Sequence, residues 1–170
     1  MASLKQIAIL FAGALCLVSF FGSAHSAEDP QFYVEGEVYC EVCRTNFINR
    51  LSEPMAGATV RLECRGEEKG NLTYTLEGVT GADGKYKLTV DGDHADEDCA
   101  VTLVKSSRPD CQEIPDEGWA TKPTAKVTLT TNSGFHGDSR HANPLGFTKK
   151  KAVPECVNLL KELQINPDEF

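Results

Sequence analysis

The stretch Glu35–Arg44 reads EGEVYCEVCR and holds Cys40 and Cys43 in a C-x-x-C arrangement. That spacing serves a redox pair, half of a zinc site, or two cysteines with separate partners. The residues around it discriminate. Along QFYVEGEVYC, Phe32, Val34, Val38 and Cys40 fall on one face, and Tyr33, Glu35, Glu37 and Tyr39 on the other. This period of two is the mark of a half-buried strand. On a strand, residues three apart point to opposite faces and lie about 10 Å apart. A disulfide needs Cα atoms within about 7 Å. If the strand runs through Cys43, the two cysteines do not bond each other, and each staples the strand to something different. A redox pair would open a helix, whose N-terminus lowers the thiol pKa; here TNFINRLSEPMAG follows, with no amphipathic period and a break at Pro54 and Gly57. A zinc site would need a second close pair, whereas Cys64, Cys99, Cys111 and Cys156 stand singly. Structural disulfides are the reading that remains.

The N-terminus sets the redox compartment. Lys5 precedes an apolar run from Ile7 to Phe21, followed by the small residues of GSAHSA. Charge, apolar run and small-residue site in that order predict a secretory signal peptide over residues 1–26, with the cut after 24, 26 or 27. The run is short of the roughly 20 residues a spanning helix needs. Cleavage after Ser26 removes one of the seven cysteines, Cys16, and leaves six; it removes Lys5 and moves the net charge from −8 to −9. Residues 27–170 are then a single domain. Six cysteines in an oxidising compartment predict three disulfides, with 15 possible pairings. An acidic chain without a basic block excludes nucleic acid as an expected partner, and no second apolar stretch points to membrane insertion.

The strand pattern recurs. GATVRLEC sets Ala58, Val60, Leu62 and Cys64 against Thr59, Arg61 and Glu63. NLTYTLEGV alternates Leu72, Tyr74 and Leu76 with polar residues, and TGADGKYKLTV passes an Asp83–Gly84 turn into Tyr86, Leu88 and Val90. CAVTLVK and TAKVTLTT behave alike, and GDHADED and SSRPD are turn clusters. Six to seven short strands predict an all-β fold, an antiparallel Greek-key-like barrel or sandwich. Asn132 to Gly146 reads as a long surface loop. One segment differs: in VPECVNLLKELQI, Cys156, Leu159, Leu160 and Leu163 repeat at i, i+3, i+4, i+7, with Pro154 placed for a first helical turn. A short C-terminal helix with its stripe on the core is expected.

EGEVYCEVCR resembles the signature of the pollen Ole e I family, the group of the major olive pollen allergen. GATVRLEC, DGKYKLTV, the six cysteine positions and NPLGFTKKKAVPEC followed by LLKEL fit it in order, over nearly the whole mature chain. Glu41–Val42 departs from the Asp-Thr common between these cysteines. The resemblance implies a secreted plant protein with a disulfide-held β-barrel, in which Cys40 pairs with Cys111, Cys43 with Cys156, and Cys64 with Cys99. It also implies roles in pollen hydration, germination or tube growth, binding to a receptor kinase or cell-wall component, and allergenicity.

Nothing in the sequence assembles a catalytic or cofactor site. His94 lies in the acidic DGDHADEDC, but the spacing is not that of a calcium loop and no glutamate closes it; a solvated acidic turn is expected. His136 and His141, with Asp138 and Ser139, lack a nucleophile elbow or an oxyanion donor. Trp119 and Tyr39 are aromatics that suit either a binding surface or the core. Asn71-Leu72-Thr73 is an N-glycosylation sequon after the charged turn GEEKG, and Asn71 is expected to carry a glycan. Two functions fit: a non-enzymatic extracellular interaction or signalling protein, and a carrier of a small ligand or carbohydrate.

Overall fold

The computed structural model describes residues 30–114 and 123–166. The signal segment and Trp119 lie outside them. Nine strands and one helix occur among the described residues: β1 (Gln31–Glu41), β2 (Glu53–Pro54), β3 (Thr59–Gly66), β4 (Leu72–Val79), β5 (Lys85–Asp91), β6 (Glu97–Lys105), β7 (Thr124–Val127), β8 (Ser139–His141), β9 (Leu145–Thr148) and α1 (Cys156–Glu162).

β1 is the spine. Phe32, Val34, Val38 and Cys40 are buried, as the alternation predicts. β5 pairs antiparallel along its first half, from Gln31↔Asp91 to Glu37↔Lys85, and β2 takes over opposite Tyr39 and Cys40. β8 and β9 also pair with β1, and both run parallel to it. A second, antiparallel sheet has the order β4-β3-β6-β7. Val60, Leu62 and Cys64 of β3, Val101 and Leu103 of β6, and Tyr86, Leu88 and Val90 of β5 close the core with the apolar face of β1. The architecture is therefore mostly antiparallel β with a short C-terminal helix and three disulfides, arranged as two sheets. Cys40 joins Cys111, Cys43 joins Cys156, and Cys64 joins Cys99, with Cα–Cα distances of 6.0, 5.4 and 4.0 Å.

The Asp83–Gly84 turn does more than close a hairpin, because it hands the chain from the second sheet to the first. Gly84 has φ +77° and sits where a Cβ would lie 2.7 Å from the Val38 carbonyl oxygen. Any side chain there would collide with the backbone of β1, so glycine is required sterically as well as conformationally.

Three details correct the sequence reading. Residues 132–146 are no free loop, since they contain β8 and the start of β9. Arg140 pins them. The residue is 6% exposed, and its guanidinium donates to the carbonyls of Thr128, Thr130, Gly137 and Ser139 at 2.8–3.1 Å and lies 4.8 Å over the Phe32 ring. Buried charge is tolerated because four of the five guanidinium N–H donors meet carbonyls. Second, Leu163 is 44% exposed. Cys156, Leu159 and Leu160 of α1 are buried, but i+7 falls past the last helical residue, and the chain turns left-handed at Gln164. Third, the alternation of β1 ends in a run of buried residues, Val38 to Glu41, because its far end is covered on both faces. Tyr39 is thereby buried and unavailable as a surface aromatic.

Two tyrosines mark this burial chemically. Burial pushes the Tyr86 phenol up to about 12, and burial with the nearby Glu41 and Glu37 charges pushes Tyr39 to about 12. An exposed phenol titrates near 10. A raised folded value means that the fold favours the protonated phenol. This stabilisation is complete below pH about 10 and is lost as pH rises from there through about 12. An ultraviolet titration is expected to show these two phenolates appearing at about pH 12, together with base unfolding. Their appearance near pH 10 in the folded protein would refute the assignment.

Candidate functional site

The concentration of unusual features lies where β1 ends. Cys40 closes the last turn of the strand onto Cys111, in the connection between β6 and β7. β1 stops at Glu41, and the next residues bend, so Cys43 leaves the strand and meets Cys156 at the start of α1. The two neighbouring cysteines thus clamp one strand end to two distant parts of the chain.

Between them sits Glu41, only 1% exposed. Its carboxylate accepts from the Cys43 and Thr45 amides, both at 2.9 Å, from Thr45 Oγ1 at 3.2 Å and from Asn49 Nδ2 at 3.0 Å. No salt bridge reaches it among the described residues. Four hydrogen bonds hold a buried carboxylate that has no cation. They fold residues 43–49 into a tight loop around it. In that loop Arg44 and Asn46 adopt φ of 61° and 59°, a left-handed conformation that is uncommon without glycine and concentrates at functional sites. The Arg44 guanidinium crosses to Glu113 at 2.8 Å and the Lys149 carbonyl at 2.7 Å.

The apolar tips of this loop face solvent. Phe47 and Ile48 are exposed, and so are Val157 and Leu163 at α1. The Cys43–Cys156 bond and a bidentate Arg50–Glu162 pair at 2.9 Å hold the two segments side by side. A string of exposed ion pairs fastens the same end. Arg108 bonds Glu53 and Asp110, and Lys149 bonds Asp110 at 3.0 Å. The Arg108 guanidinium, with Lys149, holds the Asp110 carboxyl well below the usual carboxylate range. These solvated pairs orient the loops more than they stabilise them. A rigid frame presenting exposed apolar side chains is the geometry of an interaction surface.

A second concavity opens on β1. β8 ends opposite Glu35 and β9 begins opposite Val38, so Gly36 and Glu37 lack a strand partner on that side. The gap forms a cleft of ≈ 480 Å³ lined by Glu37, Lys85, Tyr86, His141, Ala142 and Pro144, among others. Gly36 makes room for it. The Tyr86 ring lies across this glycine, and a Cβ there would sit 2.3 Å from the hydroxyl oxygen.

The residues with catalytic chemistry do not converge here. His136, Asp138, Ser139 and His141 are all exposed, and Asp138 is bound through its carbonyl to the Tyr33 amide at 2.9 Å. His94 is not part of a solvated turn. Its ring is 9% exposed, packs on Tyr74 at 4.9 Å, and places Nδ1 2.7 Å from Glu97 Oε2. Asn71 is exposed at the start of β4, and the Thr73 hydroxyl of the sequon donates to the Cys64 carbonyl at 2.8 Å. Sequence reasoning passed over Glu41, Arg44 and Asn46. The one available signal was a carboxylate lodged between two cysteines of a strand whose end had to be buried.

The chain is similar to known proteins in sequence and fold. A profile of the family described as "Pollen protein Ole e 1 like" matches residues 30–164. The chain is 48% identical over 161 residues to an "Olee1-like protein" of Betula pendula, covering 95% of each. It is 45% identical over 163 residues to an anther-specific protein of Solanum lycopersicum, covering 96% of this chain and 98% of the relative. The crystal structure of the major plantain pollen allergen Pla l 1 superposes with a TM-score of 0.68 at 49% identity, over 74% of this chain and 99% of the other. The signature stretch that ends β1 and leads into the clamped loop, the two-sheet fold and these similarities lead to one conclusion: the chain belongs to the pollen Ole e 1-like family.

Proposed function

We propose that this secreted, non-enzymatic, allergen-like protein acts as an extracellular interaction protein in pollen hydration, germination or tube growth, and that it docks on a receptor-kinase ectodomain or a cell-wall component. The observation that carries this reading is the loop around Glu41. Two disulfides and a buried carboxylate rigidify it, and it exposes Phe47 and Ile48. Preorganisation of this kind lowers the entropic cost of docking. Several relatives are pollen allergens or pollen-specific proteins by name, and another is named as anther-specific. Among the described residues no helix is long and apolar enough to cross a membrane. In this reading residues 1–26 are removed as a signal peptide before the domain folds.

A pull-down from pollen extract tests the docking surface. The Phe47→Ser, Ile48→Ser double variant is expected to keep the wild-type melting temperature and lose about tenfold or more in capture of the partner, because exposed apolar tips contribute to binding and little to the fold. Equal capture by both chains would place the interaction elsewhere. The cleft beside Tyr86 favours the alternative of a small-ligand or carbohydrate carrier. A saturable thermal shift with a sugar, and no captured protein, would favour it.

Asn71 is proposed to carry the glycan. In protein from the native secretory pathway, Asn71→Gln is expected to reduce the mass by one N-glycan and leave urea unfolding unchanged, since Asn71 is exposed at a strand edge. An unchanged mass would refute occupancy.

A further inference from the structure

The turn between β5 and β6 carries Asp93, His94 and Asp96, flanked by Asp91 at the end of β5 and Glu97 and Asp98 at the start of β6, and its fold is not explained by solvation. Asp93 Oδ2 accepts from Thr130 Oγ1 at 3.2 Å, while His94 turns inward beneath Tyr74. There the imidazole meets the Cys64–Cys99 bridge, which joins β3 to β6 at directly opposed positions. One ligand atom each from Cys64, His94, Glu97 and Cys99 lie within 4.8 Å of one another. Glu97 occupies Nδ1 of the imidazole at 2.7 Å. The other ring nitrogen, Nε2, is buried and has no hydrogen-bond partner. A buried polar atom without a partner is costly and asks for an explanation. A carboxylate on Nδ1 with Nε2 left bare is the arrangement of a metal-binding histidine, in which the carboxylate fixes the tautomer.

We propose that reductive opening of the Cys64–Cys99 bridge converts this cluster into a zinc site, with Cys64 Sγ, Cys99 Sγ and His94 Nε2 as ligands and Glu97 retained on Nδ1. A tetrahedral zinc, with bonds of about 2.0–2.3 Å, sets its ligand atoms roughly 3.4–3.8 Å apart. The four side chains already stand together within 4.8 Å, so release of one sulfur from the other and rotation of the imidazole bring the three ligand atoms to these distances. The surrounding carboxylates make the locality negative, which favours a divalent cation. The reductant is a dithiol. One of its thiolates attacks a bridge sulfur, the S–S bond breaks, and the second thiol resolves the mixed disulfide. Two electrons pass to the protein, the dithiol leaves as a cyclic disulfide, and two protons reach the cysteine sulfurs. Zinc then displaces those protons as it binds. Cys64 and Cys99 are 0% and 1% exposed, so the reductant reaches the bridge only through local opening of the strands, and the register shift between Cys64 and Arg65 in the β3–β4 ladder marks where that ladder is interrupted.

Cobalt reports the site spectroscopically. The folded protein is treated with a phosphine reductant and one equivalent of Co²⁺. A thiolate-to-cobalt charge-transfer band is expected, and equimolar Zn²⁺ is expected to abolish it. Glu97→Gln is expected to weaken cobalt binding about tenfold and His94→Gln by about tenfold or more. Because the phosphine also reaches the other bridges, a Cys64→Ser, Cys99→Ser chain treated identically must show no band. A second variant removes the dependence on reduction. Cys64→Asp cannot form the bridge, keeps the other two, and is expected to give the band from Cys99 without reductant and to lose it when combined with His94→Gln. The proposal is overturned if Cys64→Asp gives no band, if the wild type binds no more cobalt than the double serine chain, or if binding ignores His94→Gln.

Discussion

In a chain carrying Cys43→Ser with Cys156→Ser, α1 is expected to leave the protein while both sheets stay folded. The helix has seven residues, too few to persist alone in water. It buries two leucines, Leu159 and Leu160, which contribute about 1.5–3 kcal/mol each. Ordering its backbone costs about 1–2 kcal/mol per residue. Burial therefore does not cover the cost, and the exposed Arg50–Glu162 pair adds little. The tether supplies the difference. Cys43 and Cys156 are 113 residues apart, but the Cys40–Cys111 bond shortens the path to three residues from Cys43 to Cys40 and 45 from Cys111 to Cys156. A closed loop of that size is worth about 4 kcal/mol in the chain-entropy account. At 1.4 kcal/mol per tenfold, exchange of the α1 amides should accelerate by roughly a thousandfold. These include Leu163, bonded to the Leu159 carbonyl at 3.0 Å. Amides of β3 and β5 should hold their protection. Unchanged protection in α1 would mean that packing alone docks it. Loss of protection everywhere would mean that the bond supports both sheets.

Replacing Glu41 has the other large expected effect. Glu41→Ala removes one charged acceptor from two backbone amides, a hydroxyl and an asparagine side chain. Each hydrogen bond to a charged group contributes about 1.5–3 kcal/mol, and a buried donor left unpaired costs a further 1–3 kcal/mol. The loop rim can open and let water reach some of these groups, so a net loss of about 3 kcal/mol is expected from urea unfolding. Glu41→Gln, which keeps the shape but points an amide N–H₂ at donors, should lose roughly half as much. A change below about 0.5 kcal/mol in Glu41→Ala would show that the disulfides alone fix residues 43–49. If the loop is the docking surface, the same variant also weakens partner capture, since Arg44 and Asn46 lose the frame that holds them left-handed.

Much of the fold was legible because burial in a sheet imposes a period of two. Phe32, Val34 and Val38, then Val60 and Leu62, then Tyr86, Leu88 and Val90 announce their strands and their inward faces. The signal fails where strands are short or covered on both sides. β8 and β9, of three and four residues, give too few positions to alternate, and their tie to the core, Arg140, is a charge whose burial depends on carbonyls from other loops. β4 alternates clearly but is half-exposed at the edge of its sheet, so Leu72 faces solvent.

By itself the sequence determined the class, a disulfide-rich β protein with a C-terminal helix, through local periodicity, cysteine count and the family signature at Glu35–Arg44. The tertiary structure alone decided where each polar exception goes. Glu41, Arg140 and His94 all look like surface residues in the chain, and all three are buried or nearly so. A charged or titratable side chain enters a core only when its partners arrive from distant segments, and those partners exist only once the chain has folded.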